Sequence, residues 1–331
     1  MVQANFHIDG PDQLRKKELL VELKNINFKQ ALVKFFIDNW AEDINDKTIY
    51  VNSGACFKFT VKDGKVVRTL DEKLTCPAHE EADTKMIFHI CQLDFDAKVT
   101  IRCSDTDVLI IMLANMSKIS KNIQVRMEVS VGNHQRFINV SKLYDALGRN
   151  VSEALPAFHA LTGCDFNPAF FRKGKKRPFI IMRIFTDFTE SFIQMSTPSD
   201  NREETFAKIE QFICKMYGFK SLKNINDVRL ATFQKTYKHI DNDDVFHLPK
   251  KSIDGSALPS CKAELYQHFL RACYVAQMWA HAHLQVPIAE PPTNYGWIEI
   301  ENKYGFSWFS GSQLSTTITE ITIQPEEDDN D

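Results

Sequence analysis

The chain has 331 residues, of which 44% are hydrophobic and 25% charged, a balance that is ordinary for a globular protein and excludes a low-complexity chain. Its formal net charge of −3 excludes nucleic-acid binding driven by overall charge, so any such binding needs a local basic patch. The eight cysteines are scattered and form no CxxC pair, which disfavours a zinc module and a disulfide framework. This favours reduced thiols in an intracellular protein.

The sequence carries no signal for export across a membrane or for crossing one. The N-terminal MVQANFHIDG lacks the basic and apolar segments of a signal peptide, and the longest apolar run, 108–114, is too short to span a bilayer. We therefore expect an intracellular protein without a membrane partner, with the nucleus as one alternative location.

Residues 1–78 predict helices followed by a hairpin. Apolar residues at helical spacing over 19–40 indicate one or two helices. The segments KTIYV and CFKFTVKDGK flank the turn signal Asn52-Ser53-Gly54, and Asp63-Gly64 is a second turn signal. We expect this stretch to be part of the next domain or to pack on it.

Residues 79–180 alternate helical and strand patterns. HEEADTKMIFHICQL, DVLIIMLANMSK and ALPAFHALTG predict helices, whereas KVTIRC and IQVRMEVSV predict strands. Gly132-Asn133 predicts a hairpin turn. This alternation predicts an α/β domain with a largely parallel sheet flanked by helices.

Residues 181–312 carry helical stripes and few strand signals, so we expect a mainly helical region. Residues 313–331 end in QPEEDDND, an acidic stretch that predicts a disordered tail.

Three acidic clusters fall at the boundaries of the predicted elements of 79–180. The first is Glu80, Glu81 and Asp83 in HEEADT, the second is Asp105 and Asp107 in CSDTDVL, and the third is Asp165 in TGCD. Each cluster alone also has a structural interpretation. The first suits the positive end of a helix dipole, the second a helix N-cap, and the third a loop.

Together the clusters predict a metal site. Sites in open parallel sheets form beyond the carboxyl ends of the strands, where Asp105 and Asp107 are expected. Carboxylates that converge there need a counter-charge, which Mg²⁺ or Mn²⁺ supplies. Two such ions about 4 Å apart activate water and stabilise a phosphodiester displacement.

The three motifs, in this order and setting, resemble those of flap-endonuclease/XPG-type nucleases of the PIN-like superfamily. That family carries an E-A-E/D helix start, an S-x-D-x-D strand end and a G-x-D after a helix. The chain is also similar to a group of multi-copy animal proteins with HEEADT, SDTDVL, ALTGCD and FFxKGKK motifs in a PIN-like domain. With these proteins the resemblance extends through LPSCKAELYQH and NYGW, over nearly the whole chain.

The resemblance implies divalent-metal-dependent hydrolysis of phosphodiester bonds in DNA or RNA, with one or two Mg²⁺ or Mn²⁺ ions. The metal ligands that it implies are Glu81, Asp83, Asp105, Asp107 and Asp165. Asp105, Asp107 and Asp165 are the implied catalytic residues, and Glu80 is an extra acid without a counterpart in the motif.

The chain departs from the family at the first strand, where these nucleases place another Asp. Asp9 is the one early acid considered for that role, but Gly10-Pro11 follows it and no clear strand precedes it. One expectation is therefore a shortened family member. The alternative to an enzyme is an inactive PIN-like scaffold that binds nucleic acid or another protein.

A basic segment, FFRKGKKRPF, follows Asp165, at the place where the family has a glycine-containing basic hairpin that holds DNA. The predicted nucleic-acid contacts are Arg172, Lys173, Gly174, Lys175, Lys176 and Arg177. Clustered cations suit phosphates, and a glycine permits close approach of the backbone. The other interpretation is a solvated basic loop.

Overall fold

The structure, a computed structural model, describes residues 6–10, 13–14, 18–40, 44, 47–131, 134–198, 201–236, 255–288 and 290–311. The protein is mixed α/β, which confirms the predicted class at that level. Its elements form an N-terminal antiparallel sheet, a central sheet with its helices, and a helical C-terminal part.

The described residues of the N-terminal part form two helices and three strands. They are α1 Leu19–Glu22, α2 Ile26–Asn39, β1 Ile49–Ser53, β2 Ala55–Lys62 and β3 Lys65–Leu70. The side chain of Asn25 begins α2 by accepting hydrogen bonds from the backbone N–H groups of Asn27 and Phe28. The three strands pair in the order β1-β2-β3, all antiparallel, with turns where the sequence predicts them.

The central sheet has the strand order β4-β5-β6, with β4 Lys98–Arg102, β5 Gln124–Val131 and β6 His134–Asn139. β4 and β5 are parallel, with Lys98 opposite Gln124. β5 and β6 are antiparallel, with Arg126 opposite Asn139. The described part of this sheet therefore has one parallel pairing where the sequence predicts a largely parallel sheet. The predicted turn at 132–133 lies outside the described residues.

Four helices belong to this central part: α3 Ala82–Cys91, α4 Thr106–Asn115, α5 Val140–Leu147 and α6 Arg149–Thr162. Helix α4 is apolar on most faces, and Val108, Ile111 and Met112 on it are fully buried. It packs against both α3 and α6. This packing brings together the ends of the helices that carry the acidic clusters.

The C-terminal part is mainly helical, as predicted. Its helices are α7 Lys176–Ile184, α8 Thr186–Met195, α9 Arg202–Met216, α10 Ile225–Thr236 and α11 Lys262–Ala280. A hairpin that the sequence analysis did not predict follows them, formed by β7 Trp297–Ile300 and β8 Lys303–Phe306. The predicted acidic tail lies outside the described residues.

One hydrophobic core joins the central and C-terminal parts. Helix α11 lies against α6, and its buried residues include Phe269, Val275 and Trp279. The buried cluster extends from Ile87 to Tyr295. The division of the chain at 78, 180 and 312 stays a prediction. None of the described helices combines the length and the apolar character that a bilayer crossing requires.

Candidate active site

The five predicted acids belong to three segments that meet. Glu81 is the residue before α3 and Asp83 lies in its first turn. Asp105 and Asp107 occupy the same two positions at α4, and Asp165 follows α6. Because α4 packs between α3 and α6, the start of two helices and the end of the third lie at one place.

Two of the carboxylates, Glu81 and Asp83, have raised pKa values because they are partly buried and other acids lie near them. Burial is the largest cause that raises the pKa of Glu81 from 4.5 to about 7, and neighbouring carboxylates add to it. These neighbours, in order of effect, are Asp83, Asp107, Asp165 and Glu80. The pKa of Asp83 is also raised, first by burial and then by Asp105, Asp107 and Asp165. The three motifs therefore form one acidic cluster, which we call the acid site.

The second motif owes its position to the strand before it. The hydroxyl of Ser104 donates to the carbonyl of Ser130 on β5 (3.0 Å), which holds the segment after β4 against the sheet. Asp105 Oδ1 then accepts from the backbone N–H of Asp107 at 2.9 Å. Asp105 is thus the N-cap of α4 as well as a member of the acid site, so both interpretations of the motif hold together.

Glu81 differs from Asp105 in this respect. It has extended backbone angles at the start of α3, and its side chain makes no capping hydrogen bond. Its carboxylate is therefore not used to stabilise the helix end. It lies instead among other carboxylates, with the raised pKa described above.

His159 is a residue of the site that the sequence analysis did not include. It lies near the end of α6, and its Nε2 is 2.9 Å from Oδ1 of Asp107. Both side chains are nearly buried, with 11% and 15% of their surface exposed. The imidazole also packs at 5.9 Å from the ring of Trp279. The sequence shows a histidine in an apolar helix, which is typical of a core residue, and gives no signal that it meets Asp107.

Lys175, which the sequence analysis predicts as a nucleic-acid contact, turns inward from the basic segment and joins the acid site. Its Nζ lies 2.9 Å from Nδ1 of His159 and donates to the carbonyl of Gly163 at 2.6 Å. Burial lowers the pKa of Lys175, while the nearby charge of Asp107 opposes that effect. The acid site therefore contains one amino group of its own beside Asp107.

Gly163 is required by the geometry of the third motif. Its φ of +121° is unfavourable for any residue with a Cβ, and an added Cβ would lie 2.7 Å from the Cβ of Ala169. The following loop is closed by backbone hydrogen bonds between Cys164 and Asn167 (3.0 and 3.1 Å). This tight loop places Asp165 beside the end of α6.

The remaining basic residues are arranged differently from Lys175. Lys173 lies over the ring of Tyr217 (4.3 Å), whereas Arg172, Lys176 and Arg177 are exposed. Arg172 has a φ of +53°, and no atom lies within 4 Å of a Cβ added at Gly174. Three cations and an open backbone therefore face solvent next to the acid site.

Asp9, the early acid, is exposed and paired with His7 at 3.0 Å. It is not among the carboxylates that raise the pKa of Glu81 or Asp83.

The side chains as placed do not form a closed metal cage. Within the described ranges, no three His, Cys, Asp or Glu side chains lie where they could hold one ion together. Mg²⁺ usually keeps several water ligands and uses only one or two protein carboxylates. The acid site therefore fits a hydrated divalent ion by its oxygen donors and its excess of negative charge, and not by a preformed set of three ligands.

Comparison of the chain with protein-family models, with curated proteins and with solved structures finds no match.

Proposed function

We propose that the protein is a divalent-metal-dependent nuclease that hydrolyses phosphodiester bonds in DNA or RNA, built on a PIN-like sheet and helices. The observation that carries the proposal is the meeting of three separate segments that bring five carboxylates to one place, since α4 packs against both α3 and α6. The pKa of Glu81 and that of Asp83 are raised there, first by burial and then by neighbouring carboxylates. Carboxylates packed for stability alone are paired with cations or hydrogen-bond donors. Here Asp105 caps α4 and Asp107 contacts His159, whereas Glu81 and Asp83 lie near other carboxylates. A bound cation relieves that arrangement.

The residues divide into two roles. Those that would hold one or two Mg²⁺ or Mn²⁺ ions are Glu81, Asp83, Asp105, Asp107 and Asp165. A bound ion supplies positive charge to the reacting phosphate and lowers the pKa of water. His159 and Lys175 fix the position of Asp107 through the contacts at 2.9 Å. The exposed Arg172, Lys176 and Arg177 bind the backbone phosphates of the substrate.

The test is a double variant, Asp105→Asn with Asp107→Asn, assayed on labelled single-stranded and flap substrates with Mg²⁺ or Mn²⁺. Asn keeps the N-cap of α4 while it removes both charges, so folding should be preserved. We expect cleavage to fall at least about a hundredfold, since electrostatic groups of an active site contribute this much. The matched control is Asp94→Asn with Asp96→Asn, an exposed pair with the same spacing before β4.

Two results would contradict the proposal. The first is wild-type cleavage by the double variant, and the second is equal loss in the control pair. Calorimetric titration of Mn²⁺ on the same variants separates loss of the metal from loss of chemistry.

A second function has its own support. Lys175 already supplies a positive charge beside Asp107, and no group of three metal-binding side chains is preformed in the described residues. These two features favour a catalytically inactive PIN-like scaffold that binds nucleic acid or another protein. Wild-type protein that binds labelled oligonucleotides, but neither binds Mn²⁺ nor cleaves, would establish this function.

A further inference from the structure

A pocket of about 230 Å³ adjoins the acid site. Glu81 forms part of its wall, and so does Phe166, which directly follows Asp165. Met278 and Tyr274 on α11 line it on another side. The pocket therefore opens at the edge of the carboxylate cluster, within reach of a ligand bound there.

Aromatic side chains form part of the wall, and the C-terminal hairpin supplies two of them. Trp297 on β7 pairs with Phe306 on β8, so Tyr304, two residues before Phe306, lies on the same face as Trp297. Both Trp297 and Tyr304 line the pocket. The rings of Tyr274 and Trp297 are 5.3 Å apart in an edge-to-face arrangement. The hairpin thus adds two aromatic side chains to a wall that already contains Tyr274 and Phe166.

Glu80 contributes to the polar lining of this pocket, together with His79, Glu81 and Thr84. It is exposed and lines the pocket next to Glu81, and it is the acid of HEEADT that the nuclease motif leaves without a role. After burial, the charge of Glu80 is the next cause that raises the pKa of Tyr274, which places the carboxylate near that ring. A carboxylate accepts hydrogen bonds and donates none, so the pocket suits a flat ring that presents N–H groups.

We propose that this aromatic pocket binds a nucleobase of the substrate strand, with guanine preferred, next to the phosphate held at the acid site. The proposal rests on the nuclease function proposed above. Stacking on aromatic rings is the usual way in which proteins bind unpaired bases. The pocket is smaller than the roughly 300–1,000 Å³ of sites for drug-sized ligands, as suits a single ring system.

Guanine is preferred because of the hydrogen-bond donors on one edge of its ring. It presents two adjacent N–H donors, N1–H and N2–H, which the two oxygens of one carboxylate can accept together. The other bases offer at most one such donor beside an acceptor, which Glu80 would repel. An unpaired base is also required, since a base inside a duplex cannot enter a pocket with stacking partners. The substrate class is thus single-stranded nucleic acid or an unpaired end.

The first measurement is binding of the four neutral nucleosides to the full chain in metal-free buffer, by saturation-transfer NMR. Neutral nucleosides avoid repulsion between a phosphate and the acid site. We expect guanosine to bind about tenfold more tightly than the other three. Glu80→Gln should remove that preference, and Tyr304→Ala should weaken all four by about tenfold. Both side chains are exposed, so the variants should fold.

The matched controls are Glu72→Gln and Phe95→Ala, exposed residues away from the pocket, which should bind guanosine as the wild type does. Equal binding of all four nucleosides, or none, would overturn the proposal. So would tighter binding of tetramethylammonium than of guanosine, since aromatic rings beside carboxylates also suit an organic cation.

Cleavage assays separate this inference from the nuclease proposal. One outcome is guanosine binding that depends on Glu80 without cleavage by the wild type. It would contradict the nuclease proposal and support the base pocket. The other outcome is cleavage that depends on Asp105 and Asp107, with no guanine preference and no nucleoside binding. It would support the nuclease proposal and contradict the base pocket.

Discussion

In one polar region of the molecule a buried charged group has hydrogen-bond partners, whereas in another region charged groups of the same sign lie close together. Around α6 and α11, the buried guanidinium of Arg271 donates to Asn167 Oδ1 and to the carbonyls of Gly296 and Ser307, at 2.9–3.2 Å. Asn167 in turn donates to the carbonyl of His268. In the acid site, Glu81 and Asp83 lie near other carboxylates, and the pKa of each is raised by burial and then by those neighbours. The first region stabilises the fold, whereas the second costs stability, which is typical of residues retained for function.

The largest expected effect comes from breaking the first region. Arg271→Ala removes donors from three acceptors in a site where the side chain is 1% exposed. The carbonyl of Gly296 keeps the N–H of Ser307 as a donor, but Asn167 Oδ1 would lose the buried donor Arg271, and the space of a large buried side chain would be left empty. We therefore expect the free energy of unfolding to fall by about 3–5 kcal/mol. Urea unfolding followed by circular dichroism measures it.

The control for this variant is Arg183→Ala, an exposed arginine on α7, which should change stability by no more than about 0.5 kcal/mol. Equal stability of the two variants would mean that the network around Arg271 contributes little.

A smaller change in the free energy of unfolding, in the stabilising direction, is expected from a substitution in the acid site. Because the pKa of Glu81 is about 7 in the folded protein and about 4.5 when unfolded, the folded state binds more protons between these pH values. The free energy of unfolding therefore falls as pH rises from 4.5 to 7. Glu81→Gln should remove this contribution and stabilise the metal-free protein at pH 8 by about 1 kcal/mol, allowing for solvent screening.

The measurement is thermal or urea unfolding of wild type and Glu81→Gln at several pH values, in buffer with a chelator. Glu72→Gln is the matched control, since it removes an exposed carboxylate elsewhere. A wild-type protein more stable than Glu81→Gln at pH 8 without metal would show that the acid site is not strained by its own charge. Added Mn²⁺ should reverse the order if the cluster holds the ion.

The comparison also explains what could be predicted from sequence. Strand alternation over 123–131 and the apolar faces of α3 and α4 depend on local periodicity, so these elements were predicted close to their observed bounds, Gln124–Val131 for the strand. The acids at Glu81, Asp105 and Asp165 were found because each lies at an element boundary with a recognisable motif.

The features that were not predicted from the sequence depend on tertiary contacts between residues far apart in the chain. Nothing local distinguishes Lys175 from its basic neighbours, yet it alone reaches His159 and Gly163. The order and direction of three strands likewise depend on pairings between distant residues. For this reason the mixed pairing of the described strands, with β4 parallel to β5 and β5 antiparallel to β6, was not predicted from the pattern. The hairpin of β7 and β8 is short and borders irregular chain, so its period of two is weak.

The smallest expected effect concerns the amino group inside the acid site. If Lys175 partly neutralises Asp107, it competes with a divalent ion for the same carboxylate. Lys175→Met should then bind Mn²⁺ about fivefold more tightly, because like charges at short range repel. Lys176→Met removes the same charge from the adjacent, exposed position and should change the affinity by less, since exposed charges are screened. Calorimetry measures both affinities.

A Lys175→Met protein with weaker Mn²⁺ binding would assign this side chain a different role, namely holding His159 and Asp107 in place for the ion. A cleavage assay on Lys175→Met then distinguishes an active nuclease from an inactive scaffold. Tighter Mn²⁺ binding together with new cleavage activity would mean that Lys175 keeps the wild-type site inactive. Tighter binding with reduced cleavage would mean that the lysine contributes to the reaction while it weakens the metal, as expected for a cation that stabilises charge on the phosphate.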